Sequence, residues 1–404
     1  MNGRTQLLWI GCFDSDEEFR IKSEKGMNTA SAQVSQRNLV AGLEAVARIS
    51  MDSINGSIVP HFPAYRDWRV REVRWTEKSG SRNVSVGYLN LKYVNRLTCR
   101  RSMERAADHW LKTRYAGGGL VIFAYGLRSA PMAAAARIRR SVPDARIFCI
   151  VTDLPEFMDL GESRFKKLLK KIDGIAIRRL MKTMSGFVLY ASGMAEYLSI
   201  PDGRWMLMEG SWDPGEAHPF PRRCSRAILY SGALDLRYGV DLLLQSFMRL
   251  EDPELELWLT GGGNAEPIIR ECAEKDARIR FFGFLPARED VLRMQAEAAL
   301  LINMRLPSEK ASAYCFPSKL FEYLCSGTPV LSYRLKGIPE EYSEHLLFIE
   351  EESIASTCEA IRHALSMSES QRRAMGHAAR EFVLSRKNCH AQARRLLEFS
   401  QYEM

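Results

Sequence analysis

Short apolar runs alternate with helix-period segments along most of the chain, and this alternation limits the fold more than any other feature. In the first half "LLWIGCF", "GLVIFAYG", "IFCIVTD", "GFVLYAS" and "WMLMEG" read as strands, with helices near 31–47, 131–142, 162–184 and 193–199. In the second half "AILYSGAL", "LELWLTGGG", "IRFFGFL", "ALLINMR", "PVLSY" and "LLFI" read as strands, each followed by a helix or turn. Such alternation implies parallel sheets with helices on both faces. At 404 residues the chain is long for one core, so two α/β domains are expected. The stretch 211–226, with three prolines and few apolar residues, is the best linker between a 1–210 domain and a 227–385 domain. The final helices, about 353–367 and 370–399, have no strand between them, while residues 56–116 resist assignment.

Composition narrows the class. Hydrophobic content of 46% and charged content of 26% are those of an ordinary soluble protein. The first apolar run, "LLWIGCF", is too short to span a membrane, and the acidic "DSDEEF" after it is the wrong flank for a signal peptide. A cytoplasmic chain is the expectation. Nine cysteines include no C-x-x-C pair and seven histidines show no metal spacing, so no metal and no obligatory cofactor are expected. Neither G-x-G-x-x-G nor G-x-x-x-x-G-K-[ST] occurs, which removes support for a dehydrogenase or an NTPase. The net charge of +8 is concentrated in 162–184, "ESRFKKLLKKIDGIAIRRLMKTM", with eight basic residues against two acids. Phe165, Leu168, Leu169 and Ile172 form one helical stripe there, continued by Ala176 and Leu180. Such a helix either lies on the anionic inner face of the plasma membrane or packs its stripe on its own domain. No aromatic-interleaved basic platform accompanies it, so no nucleic-acid partner is expected.

The stretch "CFPSKLFEYLCSGTPVLSY", residues 315–333, carries the most chemistry. At about 100° per residue, Leu320, Phe321 and Leu324 share one helical sector, and Ser318, Lys319 and Glu322 another. Pro317 and Ser318 open a helix, Gly327 suits the left-handed position after its last turn, and Pro329 stops it. "PVLSY" then reads as a buried strand, which puts the polar face at a loop-to-helix junction that favours an anion. Glu322 is one residue too far from Ser318 for a capping box, so it either accepts ligand hydroxyls or forms a solvated i,i+3 pair with Lys319.

Ligands of open parallel sheets bind outside the carboxyl ends of the strands. Asp235, Arg237 and Gly239 follow "AILYSGAL"; Gly261, Gly262 and Gly263 follow "LELWLT"; Arg305 follows "ALLIN". With Ser318, Lys319 and Glu322 they supply close backbone approach, cations for a diphosphate and a carboxylate for ribose hydroxyls.

Together "FPSKLFEYLCSGTPVLSY", "YSGALDLRYGVDLLLQSF", "LTGGG", "FFGFLPAREDVLRMQAEAALLINMR" and "YASGMAEYL" resemble the family-4 type of retaining glycosyltransferases with the GT-B fold. Within that family they look most like bacterial enzymes of surface-polysaccharide assembly. The resemblance is strong over 186–350 and poor over 56–116. It implies an α/β GT-B fold of two Rossmann-like domains with parallel sheets facing a cleft, the last helix, 386–404, packing back on the first domain. It implies a nucleotide-diphosphate sugar, UDP- or GDP-linked, as donor, and a glycan or lipid-linked glycan as acceptor.

Carried over residue by residue, the resemblance gives Glu322 the ribose contact and Ser318, Lys319 and Leu320 the phosphate-binding loop, with Gly232, Gly262, Gly263 and Arg305 lining the donor site. Tyr314 stands where the family often has the first of two glutamates, and Glu309 is the substitute for its contact to the donor sugar. The usual basic residues of the first loop fall on Ala233 and Tyr238, which leaves Arg237 as the diphosphate cation. Arg237 and Lys319 would stabilise the leaving group, and Asp153 would orient or deprotonate the acceptor. Gly26, Asn28 and Glu209 are the remaining acceptor-side candidates. A nucleotide-sugar epimerase of the same fold and a noncatalytic nucleotide-sugar-binding protein are the alternatives.

Overall fold

The computed structural model describes residues 5–27, 29–154, 164–216 and 226–402, with the side chains of residues 30, 164–170 and 216 outside the description. The chain divides into two compact units: Met1–Tyr190 with Met194–Ser211 and Cys389–Met404, and Ala191–Gly193 with Trp212–Asn388.

The first unit is built on an eight-stranded sheet. Its order is Trp205–Leu207, Gly186–Leu189, Arg146–Val151, Leu120–Tyr125, Gln6–Gly11, Asp52–Asn55, Asn83–Ser85 and Val73–Trp75. Every pair is parallel except the last, which is antiparallel. The central runs "LLWIG", "LVIFAY" and "IFCIV" are buried at every position because helices cover both faces. The helix Cys389–Phe399 belongs to this unit, where Ala393, Leu396 and Leu397 share a core with Leu39, Val40 and Leu43 of the helix Ala30–Ala47.

Residues 56–116 hold strands of two or three residues and the helix Asn95–Thr113. That helix buries Cys99, Met103, Ala107 and Trp110, a stripe of helical period, and the Trp110 indole donates to Asp52 Oδ2 at 2.8 Å. A further helix, Asp16–Glu24, starts inside "DSDEEF": Ser15 caps it through the Glu18 amide, and three acidic residues fill its first turn.

The second unit carries six parallel strands in the order Ile279–Gly283, Glu256–Gly262, Ala227–Ala233, Leu300–Asn303, Val330–Tyr333 and Leu347–Ile349. Numbered along the unit this is 3-2-1-4-5-6, the doubly wound Rossmann order. The order reverses between Ala227–Ala233 and Leu300–Asn303, so the ligand crevice is expected above their carboxyl ends.

Two expectations change. Trp212, inside the stretch read as a linker, is 6% exposed in the core of the second unit, and its amide donates to Lys387 O at 2.9 Å; residues 217–225 lie outside the described ones. The helix expected over 370–399 is two helices, Glu369–Arg386 and Cys389–Phe399, broken where Asn388 pairs with Trp212.

Close packing of Glu369–Arg386 on the helix Lys319–Ser326 depends on Gly376, where an added Cβ would lie 1.8 Å from Gly327 O. Gly376→Ala gains about 1 kcal/mol of helix propensity, yet the backbone clash outweighs it. The expected result is a destabilisation of about 1–3 kcal/mol in thermal melts, and an unchanged or higher Tm would contradict this packing.

Candidate active site

At the switch point of the second unit the backbone is forced into close approach. Gly232 (φ 140°) and Gly261 (φ 135°) are register partners, and a Cβ on Gly261 would lie 1.8 Å from Gly232 O. Both need glycine. Lys319 lies over this point, its Cε 3.6 Å from where a Gly232 Cβ would be. Gly262 has no comparable restriction, whereas a Cβ on Gly263 would meet Leu234 O at 2.2 Å.

The short helix Lys319–Ser326 is pinned to this strand end by Tyr323, whose hydroxyl accepts from Ser231 N at 2.8 Å and donates to Ser231 O at 3.0 Å. Gly327 closes it with φ 77°, as the sequence implies. Ser318 occupies the N-cap position but its side chain makes no cap bond. Leu320, expected to offer its amide to phosphate, instead donates it to Pro317 O at 2.9 Å, which tightens the first turn.

Glu322 is not a solvated partner of Lys319. Its residue exposure is 9%. Oε1 accepts from Gln295 Nε2 at 2.7 Å and Lys319 Nζ at 3.0 Å, and Oε2 from Arg288 Nε at 3.4 Å. Burial pushes the Glu322 carboxyl up, but Lys319, the Gln295 hydrogen bond and Arg288 together hold it below the usual range, so it is ionised. Arg288 also lies over the Trp212 ring at 5.4 Å, and fully buried Gln295 reaches Ser231 Oγ at 3.1 Å. Arg288, Gln295 and Trp212 escape the sequence reading, because nothing in their own segments shows that they converge on Glu322.

The cations expected for a diphosphate are differently engaged. Arg237 is gripped by Asp235 through Nε–Oδ1 at 3.0 Å and Nη2–Oδ2 at 2.7 Å. Arg237 is the largest influence holding the Asp235 carboxyl low. Arg305 lies 4.8 Å from the centre of the Tyr238 ring, and its Nη1 is buried with no partner among the described residues. Glu309 precedes the 3₁₀ turn Lys310–Tyr314, and its charge reaches Arg237. Tyr314 ends that turn. Among the described residues no cluster of three His, Cys, Asp or Glu is placed to hold a metal.

In the first unit, Asp153 follows Arg146–Val151, and Glu209 follows Trp205–Leu207 and is 2% exposed. Burial is the main cause that raises the Tyr190 phenol to about 12, and the charges of Asp153 and Glu209 add to it. Tyr190 Oη and Ser35 Oγ are 3.0 Å apart. Gly26 has φ 107°, and a Cβ there would meet Ala64 O at 2.7 Å, so it fixes a loop. Asn28 lies outside the described residues.

A glycine pair thus lies at a Rossmann switch point, with an ionised carboxylate and a lysine on the adjoining helix. Residues 222–382, which contain it, match the family described as Glycosyl transferases group 1. A segment of 152 residues is 30% identical to one subunit of the human phosphatidylinositol N-acetylglucosaminyltransferase, covering 36% of this chain and 30% of that protein. Solved structures agree along nearly the whole chain. A trehalose-6-phosphate synthase superposes with TM-score 0.68 at 10% identity, covering 99% of both chains. The sucrose-phosphate synthase of Thermosynechococcus elongatus superposes with TM-score 0.66 at 16% identity, covering 98% of both. At these identities the likeness is one of fold: the chain has an α/β GT-B fold of two Rossmann-like units.

Proposed function

We propose that the protein transfers a glycosyl group from a UDP- or GDP-linked sugar, held at Gly232, Lys319 and Glu322, to a hydroxyl of a glycan or lipid-linked acceptor, with retention of configuration. The observation that carries this reading is Glu322: a buried carboxylate, ionised and flanked by two cations, at the switch point of a glycosyltransferase domain. A carboxylate offers about four acceptor positions and three are filled, the Arg288 contact being long, so the remainder suits a ribose diol. Lys319 and the first-turn amides of Ser318 and Lys319 face the diphosphate and stabilise the charge that grows on it as the sugar departs. Asp153 is proposed to orient the acceptor hydroxyl from the first unit. The test is sugar-dependent release of the nucleoside diphosphate in the presence of an acceptor extract. An enzyme that instead converts the donor alone to an epimer would sink the proposal.

The acceptor is proposed to be membrane-borne, in a polysaccharide-type assembly. The human relative is named for transfer to a phosphatidylinositol, which supports a lipid acceptor. The basic helix Arg164–Met181 supports a peripheral association, although its first lysines lie where side chains are not described. In its described part the stripe expected from the sequence is partly exposed: Ile172 is 55% exposed, and Ala176 and Leu180 are half-buried. No described helix is long and apolar enough to cross a membrane. Changing Lys166, Lys167, Lys170 and Lys171 to Gln should weaken sedimentation with anionic vesicles, each basic residue near the surface contributing about 1 kcal/mol. Equal sedimentation of variant and wild type would refute the association.

A further inference from the structure

The first unit contains a cavity of about 260 Å³ that none of the proposed roles uses. Its polar wall includes Ser57, Asn95, Arg96, Arg128, Ser129 and Asp173, after the carboxyl ends of Asp52–Asn55 and Leu120–Tyr125. Two guanidinium groups face one carboxylate, and Asp173 is taken by Arg96 at 3.4 Å. Arg128 meets no carboxylate among the described residues. Its charge bears on Cys12, Cys99 and Tyr88, and burial keeps all three protonated, so none of them neutralises it. Asp14, whose charge reaches Tyr88 too, is already bound by Lys22 at 2.6 Å. Arg128 is thus a half-buried cation in search of an anion, and an anion is what offsets the cost of its desolvation.

Backbone geometry adds to the charge. Arg128 is the N-cap of the helix Ser129–Ser141, makes no side-chain cap bond, and is followed two residues on by Ala130 and then Pro131. The Ser129 and Ala130 amides therefore have no partner inside the helix. The volume lies below the roughly 300–1,000 Å³ of drug-sized pockets, which suits a small anionic group rather than a nucleotide sugar. Ile58, Val59, Leu127 and Ile177 line the same cavity, so the anionic group that enters has apolar surface beside it.

We infer that this cavity binds a phosphate ester that carries an apolar group, with Arg128 and the Ser129 and Ala130 amides on the phosphate and Ile58, Val59, Leu127 and Ile177 against the apolar part. The inference deepens the proposed acceptor role, on which it rests, by naming the acceptor's chemistry: a phosphorylated carrier, whether a lipid headgroup or a soluble ester.

Calorimetric titration of the full chain with inorganic phosphate and with hexyl phosphate tests it. Hexyl phosphate is expected to bind at least tenfold more tightly than inorganic phosphate. Arg128→Gln should weaken it at least tenfold, and Arg128→Lys should restore part of the loss. Glu322→Ala should leave it unchanged. A parallel arm uses phosphatidylglycerol vesicles: loss of sedimentation in Arg128→Gln assigns the lipid source, and loss confined to hexyl phosphate assigns the soluble one. Should Arg128→Gln melt early, Arg96→Gln, a more exposed wall residue, serves as the second variant with the same expected direction. Equal affinity for hexyl phosphate in wild type and both variants, or no binding of either titrant by the wild type, overturns the inference. UDP and GDP titrations run beside these keep the outcomes apart: failure of nucleotide binding with hexyl phosphate binding intact removes the transferase reading and leaves the cavity, and the converse removes only the cavity.

Discussion

Lys319→Met is expected to lower kcat by about 10²–10³, the scale seen when one preorganised group facing developing charge is removed. Lys319 is the only cation found both on the glycine turn and on Glu322 among the described residues. Its ammonium carries the charge that a departing diphosphate needs, and it moves little to meet it. Arg237 is the other candidate in the sequence, but Asp235 holds it bidentately, so Arg237→Gln should cost less than a tenth as much. Steady-state kinetics decide: a higher KM with kcat unchanged would make Lys319 a ground-state binding residue and contradict its role in stabilising the leaving group.

The second large effect concerns Glu322. Glu322→Ala leaves Arg288 and Lys319 facing each other without their shared carboxylate and strips Gln295 of its 2.7 Å acceptor. Arg288 and Lys319 are nearly half exposed, so water recovers much of the loss, and the stability cost should be about 1–2 kcal/mol rather than that of a fully buried pair. The loss of nucleotide binding should be near complete. Stability should also depend on pH in a definite direction. The Glu322 pKa is lower folded than unfolded, so its ionisation stabilises the fold above the ordinary carboxylate pKa of about 4.3, and that contribution disappears as pH falls through the folded value. The stability difference between wild type and Glu322→Gln should therefore be largest near neutral pH and close in acid. A gap that widened in acid would reverse the assignment.

Much of this is legible in the sequence where physics is local. The second-unit strands announce themselves as short apolar runs, and Gly327 and Pro329 end the site helix where the sequence implies. Legibility fails where an element is too short to show a period, as in Arg69–Val70 and Tyr88–Leu89. The helix Asn95–Thr113 has a readable stripe, but five charged side chains among its first eleven residues mask it. At the site, the polar sector of Lys319 and Glu322 is correct by angle, yet angle says nothing of what lies opposite. Arg288 and Gln295 come from another helix, Arg288–Glu297, and only the 3-2-1-4-5-6 winding brings that helix beside Glu322. Similarly, Asp235 lies two residues before Arg237 in plain view, but a pair at that spacing becomes an ion pair only because Asp235 caps a 3₁₀ turn.

The most direct test of the central claim is calorimetric titration of UDP and GDP into wild type and Glu322→Ala, both shown to be folded by their melts. The account predicts that one of the two nucleotides binds the wild type and fails to bind the variant. Such binding would raise the wild-type stability by about 2.7 kcal/mol at a hundred times its Kd. Binding that survives in Glu322→Ala, or no binding of either nucleotide by the wild type, would contradict the assignment of this helix as the donor site.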